Sequence, residues 1–140
     1  MKFWDSSAIL PLLVREASSK KMEALRREDP AISVWWGTRL EVASGLARLA
    51  REGSLTNTDE QELLRRMDAL AGSWAEVIAG DLLRSQALRL LRTHPLRAAD
   101  ALQLGAALVA SDRRPEALPV VTLDQRLAEA AQREGFEVIG

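Results

Sequence analysis

The run AISVWW at residues 31–36 does most to limit what this chain can fold into. It has strand length, is rich in β-branched and aromatic side chains, and shows no polar alternation, so a strand built from it is covered on both faces. Strands covered on both faces belong to parallel sheets, whose crossovers are helices. The rest of the chain supplies the matching pieces. Phe3 and Trp4 read as a first strand, Trp74 to Ile78 as a third, Val120 and Val121 as a fourth, and residues 137–139 as the last. Helical stretches separate them throughout. The expected fold is α/β, a parallel sheet with helices on both faces in three layers, as a single domain over residues 1–140.

The helices can be bounded by their start and stop residues. Pro11 belongs near the first turn of a helix, which predicts a late start at Ala8 or Ile9. A second helix is expected over Ser18 to Arg27, with Met22 and Leu25 inward. A third runs from Gly37 and Thr38 to about Glu52, closed by Gly53. It carries two apolar seams, one of Val42, Leu46 and Leu49 and one of Leu40, Ala43, Ala47 and Ala50, which predicts burial on more than one side. Thr58 and Gln61 read as a capping box opening a helix from Asp59 to Ala71. Its stripe of Leu63, Leu64, Met67 and Leu70 is expected to meet a partner helix or a second subunit. Gly80 begins a leucine-rich helix stopped by His94 and Pro95, His94 being structural or exposed. Residues 96–111 form a helix apolar nearly all round and hence buried. Residues 125–134 form the last helix, stopped by Gly135.

With 19 basic and 20 acidic residues the formal net charge is −1, so the chain is not a globally basic nucleic-acid binder; a polyanion must be met by a local patch or by metal ions. The absence of cysteine removes thiol chemistry and cysteine zinc sites. The apolar stretch Ala8 to Val14 lacks the flanks of a signal peptide, and no run approaches the roughly 20 residues that span a bilayer. A soluble, intracellular protein is expected.

Four acids stand out from this background. Asp5 and Asp124 each follow an apolar strand and open a helix, which in a parallel sheet places both on one edge, where open α/β sheets put their chemistry. Helix capping is the competing role for such residues. Glu41 shares a helix face with Ser44, Gly45 and Arg48, small in the middle and open to a ligand, or else a solvated face. Asp100 is the one acid on the apolar helix, costly there unless bound or paired, with Arg97 a candidate partner one turn back. Two like charges about 4 Å apart repel by roughly 4 kcal/mol at an effective dielectric near 20, so four converging carboxylates need shared protons or divalent cations. Oxygen donors without histidine or cysteine select Mg2+ or Mn2+. Such ions hydrolyse phosphodiesters by activating water, stabilising charge on the phosphorus oxygens and supporting the leaving oxygen.

Taken together, DSSA (5–8), the glutamate of RLEVASGLARL (39–49), AADALQLGAAL (98–108) and VVTLDQRLAEAA (120–131) resemble the signature segments of PIN domains, especially VapC-type toxin ribonucleases of toxin–antitoxin pairs. The resemblance spans nearly the whole chain, with order and spacing in agreement. It implies a Rossmann-like five-stranded parallel sheet and Mg2+-dependent cleavage of RNA in the cytoplasm. It also implies a homodimer and a cognate antitoxin. Asp5, Glu41, Asp100 and Asp124 match the family's acidic positions, and Ser7 and Thr122 match hydroxyls that support them. On this reading Asp5 and Asp100 hold the principal metal, Glu41 is a ligand or orients the water, and Asp124 binds through water or a second ion. Arg48, Arg97 and Arg126 are candidate phosphate contacts. Gln103 stands where many relatives carry histidine, and Leu123 where they carry an aromatic residue, which bears on substrate preference. Trp35 and Trp36 are candidates for base stacking, with core or dimer packing favoured.

Two rivals differ in what they require. A receiver-like phosphotransfer domain wants paired acids after the first strand and a lysine after the last, whereas the only lysines are Lys2, Lys20 and Lys21. A catalytically silent PIN scaffold used for protein binding predicts lost acids, and all four are present.

Overall fold

The computed structural model describes residues 1–140. Five parallel strands, β1 (Lys2–Trp4), β2 (Ile32–Trp35), β3 (Ala75–Val77), β4 (Val120–Val121) and β5 (Val138–Ile139), lie in the order β3-β2-β1-β4-β5. The helices are α1 (Ser6–Ile9), α2 (Ser19–Glu28), α3 (Thr38–Arg51), α4 (Asn57–Ala71), α5 (Asp81–Thr93), α6 (Ala98–Ala110) and α7 (Gln125–Arg133). This is the expected α/β architecture.

Strand periodicity sorts the core into two layers, because successive side chains point to opposite faces. Phe3, Trp35 and Val120 face one way and pack with Leu83 and Leu90 of α5, Leu104 and Ala107 of α6, and Leu127 and Ala131 of α7. Trp4, Ile32, Val34 and Val121 face the other way and pack with Ala8 and Ile9 of α1, Met22 of α2, Val42 and Leu46 of α3, and Leu63, Met67 and Leu70 of α4. The register Phe3↔Val120 and Trp4↔Val121 keeps these faces aligned across the sheet centre. No helix is long and apolar enough to cross a membrane.

The order of strands places the site. From β1 the chain first moves outward to β2 and β3, then returns to the opposite side of β1 with β4. The connections after β1 and β4 therefore leave in different directions and open a crevice at the carboxyl ends of the strands, where open α/β sheets bind ligands. Asp5 follows β1 and Thr122 to Asp124 follow β4.

Several boundaries differ from expectation for local physical reasons. The first helix starts at Ser6, not near Ala8: Pro11 lies in a 3-10 turn, Leu10–Leu12, that continues the helix, so the missing N–H marks where the α-helix ends. The capping box that opens α4 is Thr56 with Asp59, two residues before Thr58, and both reciprocal bonds form, at 3.0 and 3.1 Å. The stripe on α4 is buried within this chain against α3, so it is a partner-helix surface and not a subunit surface. The second seam of α3 is covered only in part: Ala43, Ala47 and Ala50 are half-buried, while Leu40 is 74% exposed. Trp35 is core, while Trp36 is 55% exposed. A Cβ on Gly37 would lie 2.4 Å from the Trp35 ring, so the chain can pass the indole there only as glycine. His94 is buried, donor or acceptor to Glu134 at 2.8 Å.

Candidate active site

Asp5 sits at the N-cap position of α1 with extended backbone, yet its side chain makes no cap hydrogen bond. Its carboxylate turns to hydroxyls instead. Oδ2 accepts from Ser7 Oγ at 2.5 Å and from Thr122 Oγ1 at 2.8 Å, while Oδ1 has only Ser6 Oγ at 3.3 Å. Those hydroxyls are themselves held from the β4 side: the Leu123 N–H donates to Ser7 Oγ at 2.9 Å and the Asp124 N–H to Thr122 Oγ1 at 3.1 Å. The loop after β4 thus locks the acid that ends β1. Burial raises the Asp5 pKa, the Ser7 and Thr122 hydroxyls pull it back, and the charge of Glu41 adds a further rise.

Glu41 lies in the first turn of α3. Its Oε2 accepts from Ser6 Oγ at 2.7 Å and from Gln103 Nε2 at 2.8 Å, and Gln103 Nε2 also lies 3.3 Å from Thr38 Oγ1. Ser6 therefore stands between the Asp5 and Glu41 carboxylates. Gln103 comes from α6 and brings that helix to the same edge.

Asp100 is one turn before Gln103 on α6 and is half-buried. The Arg97 guanidinium does not pair with it; the Arg97 backbone N–H approaches its Oδ2 at 3.4 Å. Burial is the main cause of its raised pKa, the neighbouring Asp124 raises it further, and the charges of Arg126 and Arg97 oppose the rise. Asp124 does cap its helix, its Oδ1 accepting from the Leu127 N–H at 2.9 Å. Asp5 and Asp124, alike in sequence position, thus use their carboxylates differently.

The four acids form two electrostatic pairs, Asp5 with Glu41 and Asp100 with Asp124. No three acidic or histidine side chains are gathered closely enough to hold a metal ion. None of the four is in a salt bridge; every salt bridge in the protein lies elsewhere, on Asp29, Glu62, Asp68, Asp81 or Glu134. In each acid, moreover, one oxygen carries the donors described and the other is left with none closer than 3.3 Å. The donors are all oxygen, with free lone pairs and no fixed cation, which is the ligand chemistry of hard divalent ions such as Mg2+ or Mn2+, here arranged as two separate pairs of acids. Arg97 and Arg126 border the Asp100–Asp124 pair, exposed and without ion pairs, and Arg48 is likewise exposed and unpaired on α3.

Ser6 is the site residue that sequence reasoning passed over. Its only signal was adjacency to Asp5, and its partner Glu41 is 35 positions away. Gln103 was noted only as a substitution for histidine, whereas the structure puts it in contact with Glu41.

No protein-family model matches the chain. Two curated relatives are each 32% identical over 140 aligned residues, covering 97% of this chain and 92% of theirs: Ribonuclease VapC45 of Mycobacterium tuberculosis (strain CDC 1551 / Oshkosh) and Ribonuclease VapC49 of Mycobacterium tuberculosis (strain ATCC 25618 / H37Rv). Among solved structures, a toxin-antitoxin complex from Klebsiella pneumoniae superposes with a TM-score of 0.67 at 16% identity, covering 100% of this chain and 97% of that one. PAE2754 from Pyrobaculum aerophilum also gives 0.67, at 18% identity, covering 98% of this chain and 82% of its own. These two likenesses are of fold.

Proposed function

The chain belongs to the VapC ribonuclease family, and from that premise we propose that it is a metal-dependent endoribonuclease, the toxin of a toxin–antitoxin pair. The observation that carries the proposal is the set of four acids at the crevice, each with a free oxygen and none with a cation of its own. Asp5 and Asp100 would hold a divalent ion, Mg2+ or Mn2+, with Glu41 and Asp124 as further ligands or as anchors for water. When bound, such an ion supplies charge stabilisation at the phosphoryl oxygens and lowers the pKa of water.

The protein's own residues do the rest. Ser7 and Thr122 hold Asp5 through one oxygen and leave the other with only the long Ser6 contact. Arg97 and Arg126, on the rim beside Asp100, suit contact with the RNA backbone. Hydrolysis joins a water oxygen to phosphorus, breaks a bridging P–O bond and returns a proton to the leaving oxygen.

An antitoxin partner is supported by the likeness to a toxin-antitoxin complex. A homodimer is supported by an apolar surface at the β3 edge. The Trp36 N–H bonds the Val77 carbonyl at 2.9 Å, which sets Trp36 beside Ile78, and Leu40 and Leu82 follow one turn into the next helices. All four side chains are more than half exposed. Light scattering after Leu40→Glu tests this: a wild-type dimer becomes a monomer.

The function is tested by incubating purified protein with RNA, with and without Mg2+ and a chelator. Cleavage that needs Mg2+ and disappears in Asp5→Asn is the expected outcome. Cleavage undiminished in that variant sinks the assignment, and no cleavage under any condition favours the protein-binding scaffold.

A further inference from the structure

We propose that Ser6 and Gln103 form a two-donor clamp that positions Glu41, an inference that rests on the ribonuclease function proposed above. Glu41 reaches the crevice from the first turn of α3 on a long side chain, whose rotamers are many unless something holds its end. Ser6 Oγ and Gln103 Nε2 both donate to the same oxygen, Oε2, at 2.7 and 2.8 Å. The other oxygen is left without a donor. The donors come from α1 and α6, one on each side of the sheet, so the clamp exists only in the folded protein.

Both donors are neutral. A lysine or arginine in either place would hold Glu41 as well but would offset its negative charge, which neutral donors leave in place. Gln103 shows what it is kept for. Its Oε1 is buried with no partner, and turning the amide over would set an oxygen against the Glu41 carboxylate. The side chain is held for its donor, with the acceptor left unsatisfied. The single proton of Ser6 lies between Glu41 at 2.7 Å and Asp5 Oδ1 at 3.3 Å; the shorter contact takes it, and the serine spaces the two carboxylates.

The test uses Ser6→Ala and Gln103→Leu, with Ser6→Thr as the variant that keeps a hydroxyl. Each of the first two lowers kcat about 10- to 100-fold with KM for RNA unchanged, and Ser6→Thr restores the rate. In a Glu41→Ala background neither substitution lowers the rate further. Losses that persist in that background, or that fall on KM, overturn the proposal. A second readout needs no catalysis. Crystal structures of the metal-free protein show Glu41 in one conformer on both donors in the wild type and in several conformers in the Ser6→Ala/Gln103→Leu variant; an unchanged Glu41 in the variant refutes the clamp. Wild-type protein that fails to cleave RNA would remove the ribonuclease reading and leave the clamp to be decided by those two structures.

Discussion

Asp5 and Glu134 are both carboxylates withdrawn from solvent, and they are satisfied in opposite ways. Glu134, at the end of α7, accepts from Arg89 Nη2 at 2.6 Å and pairs with His94 at 2.8 Å, and the arginine beside it holds its pKa below the usual carboxylate value. Asp5 accepts from two hydroxyls, Ser7 and Thr122, and has no cation, and its pKa is raised. The Glu134 cluster ties α5 to α7 and is electrically complete. The Asp5 site is held in shape by neutral groups, and no cationic side chain pairs with its carboxylate. A protein can afford an incomplete site only where an exchangeable cation or a proton completes it.

Exchanging one acid in each region separates the two roles. Asp5→Asn lowers Mg2+-dependent RNA cleavage by about 10³-fold or more, measured as initial rate on a defined RNA, whereas Glu134→Gln leaves the rate within about twofold of wild type. The order reverses for folding. Glu134→Gln removes charge-assisted bonds at a half-buried site and destabilises by about 1–3 kcal/mol in urea denaturation at pH 7, while Asp5→Asn raises the stability of the metal-free protein by relieving a buried charge. Equal stability loss in both variants would break the comparison.

Acid sharpens it. Glu134, with a lowered folded pKa, contributes stability above its unfolded value that is lost as pH falls through the folded pKa. Asp5, with a raised folded pKa, contributes stability that is complete below its unfolded value and is lost as pH rises through the folded pKa. The deficit of Glu134→Gln and the gain of Asp5→Asn, opposite in sign at pH 7, should therefore both shrink as the pH is lowered. Melting curves from pH 7 to pH 3 measure this.

Mg2+ at millimolar concentration should raise the melting temperature of the wild type and of Glu134→Gln by a few degrees and leave Asp5→Asn unmoved, since a ligand stabilises only what binds it. The smallest effect belongs to Asp29, whose bonds to the N-terminal ammonium and Lys2 lower its pKa to about 2. Asp29→Asn costs about 0.5 kcal/mol at pH 7 as a surface pair, a loss that vanishes between pH 4 and pH 2.

Much of the architecture was legible from short-range patterns. Ile32–Trp35, within AISVWW, and Val120–Val121 are buried parallel strands because lack of alternation means two covered faces. Where a local signal had two readings, the chain could choose the other one. Pro11 ends a helix instead of starting it, and Thr56 outcompetes Thr58 because Asp59 returns its bond. The stripe on α4 was visible as apolar, but its partner was not. At the site, Asp5 and Asp124 lie, as the sequence indicates, on one edge of the sheet at the ends of their strands; that one caps its helix and the other does not was not readable from their matching positions.

The sequence by itself determined the element types, the parallel layering and which acids lie at the carboxyl ends of strands, since these follow from hydrophobic period and chain order. Only the tertiary structure decided that Ser6 bridges Asp5 and Glu41, that Gln103 reaches Glu41 across 62 positions, and that no arginine or lysine closes on any of the four acids. Those facts depend on distances between segments far apart in the chain, and the sheet's strand order, with β4 beside β1, is what sets them.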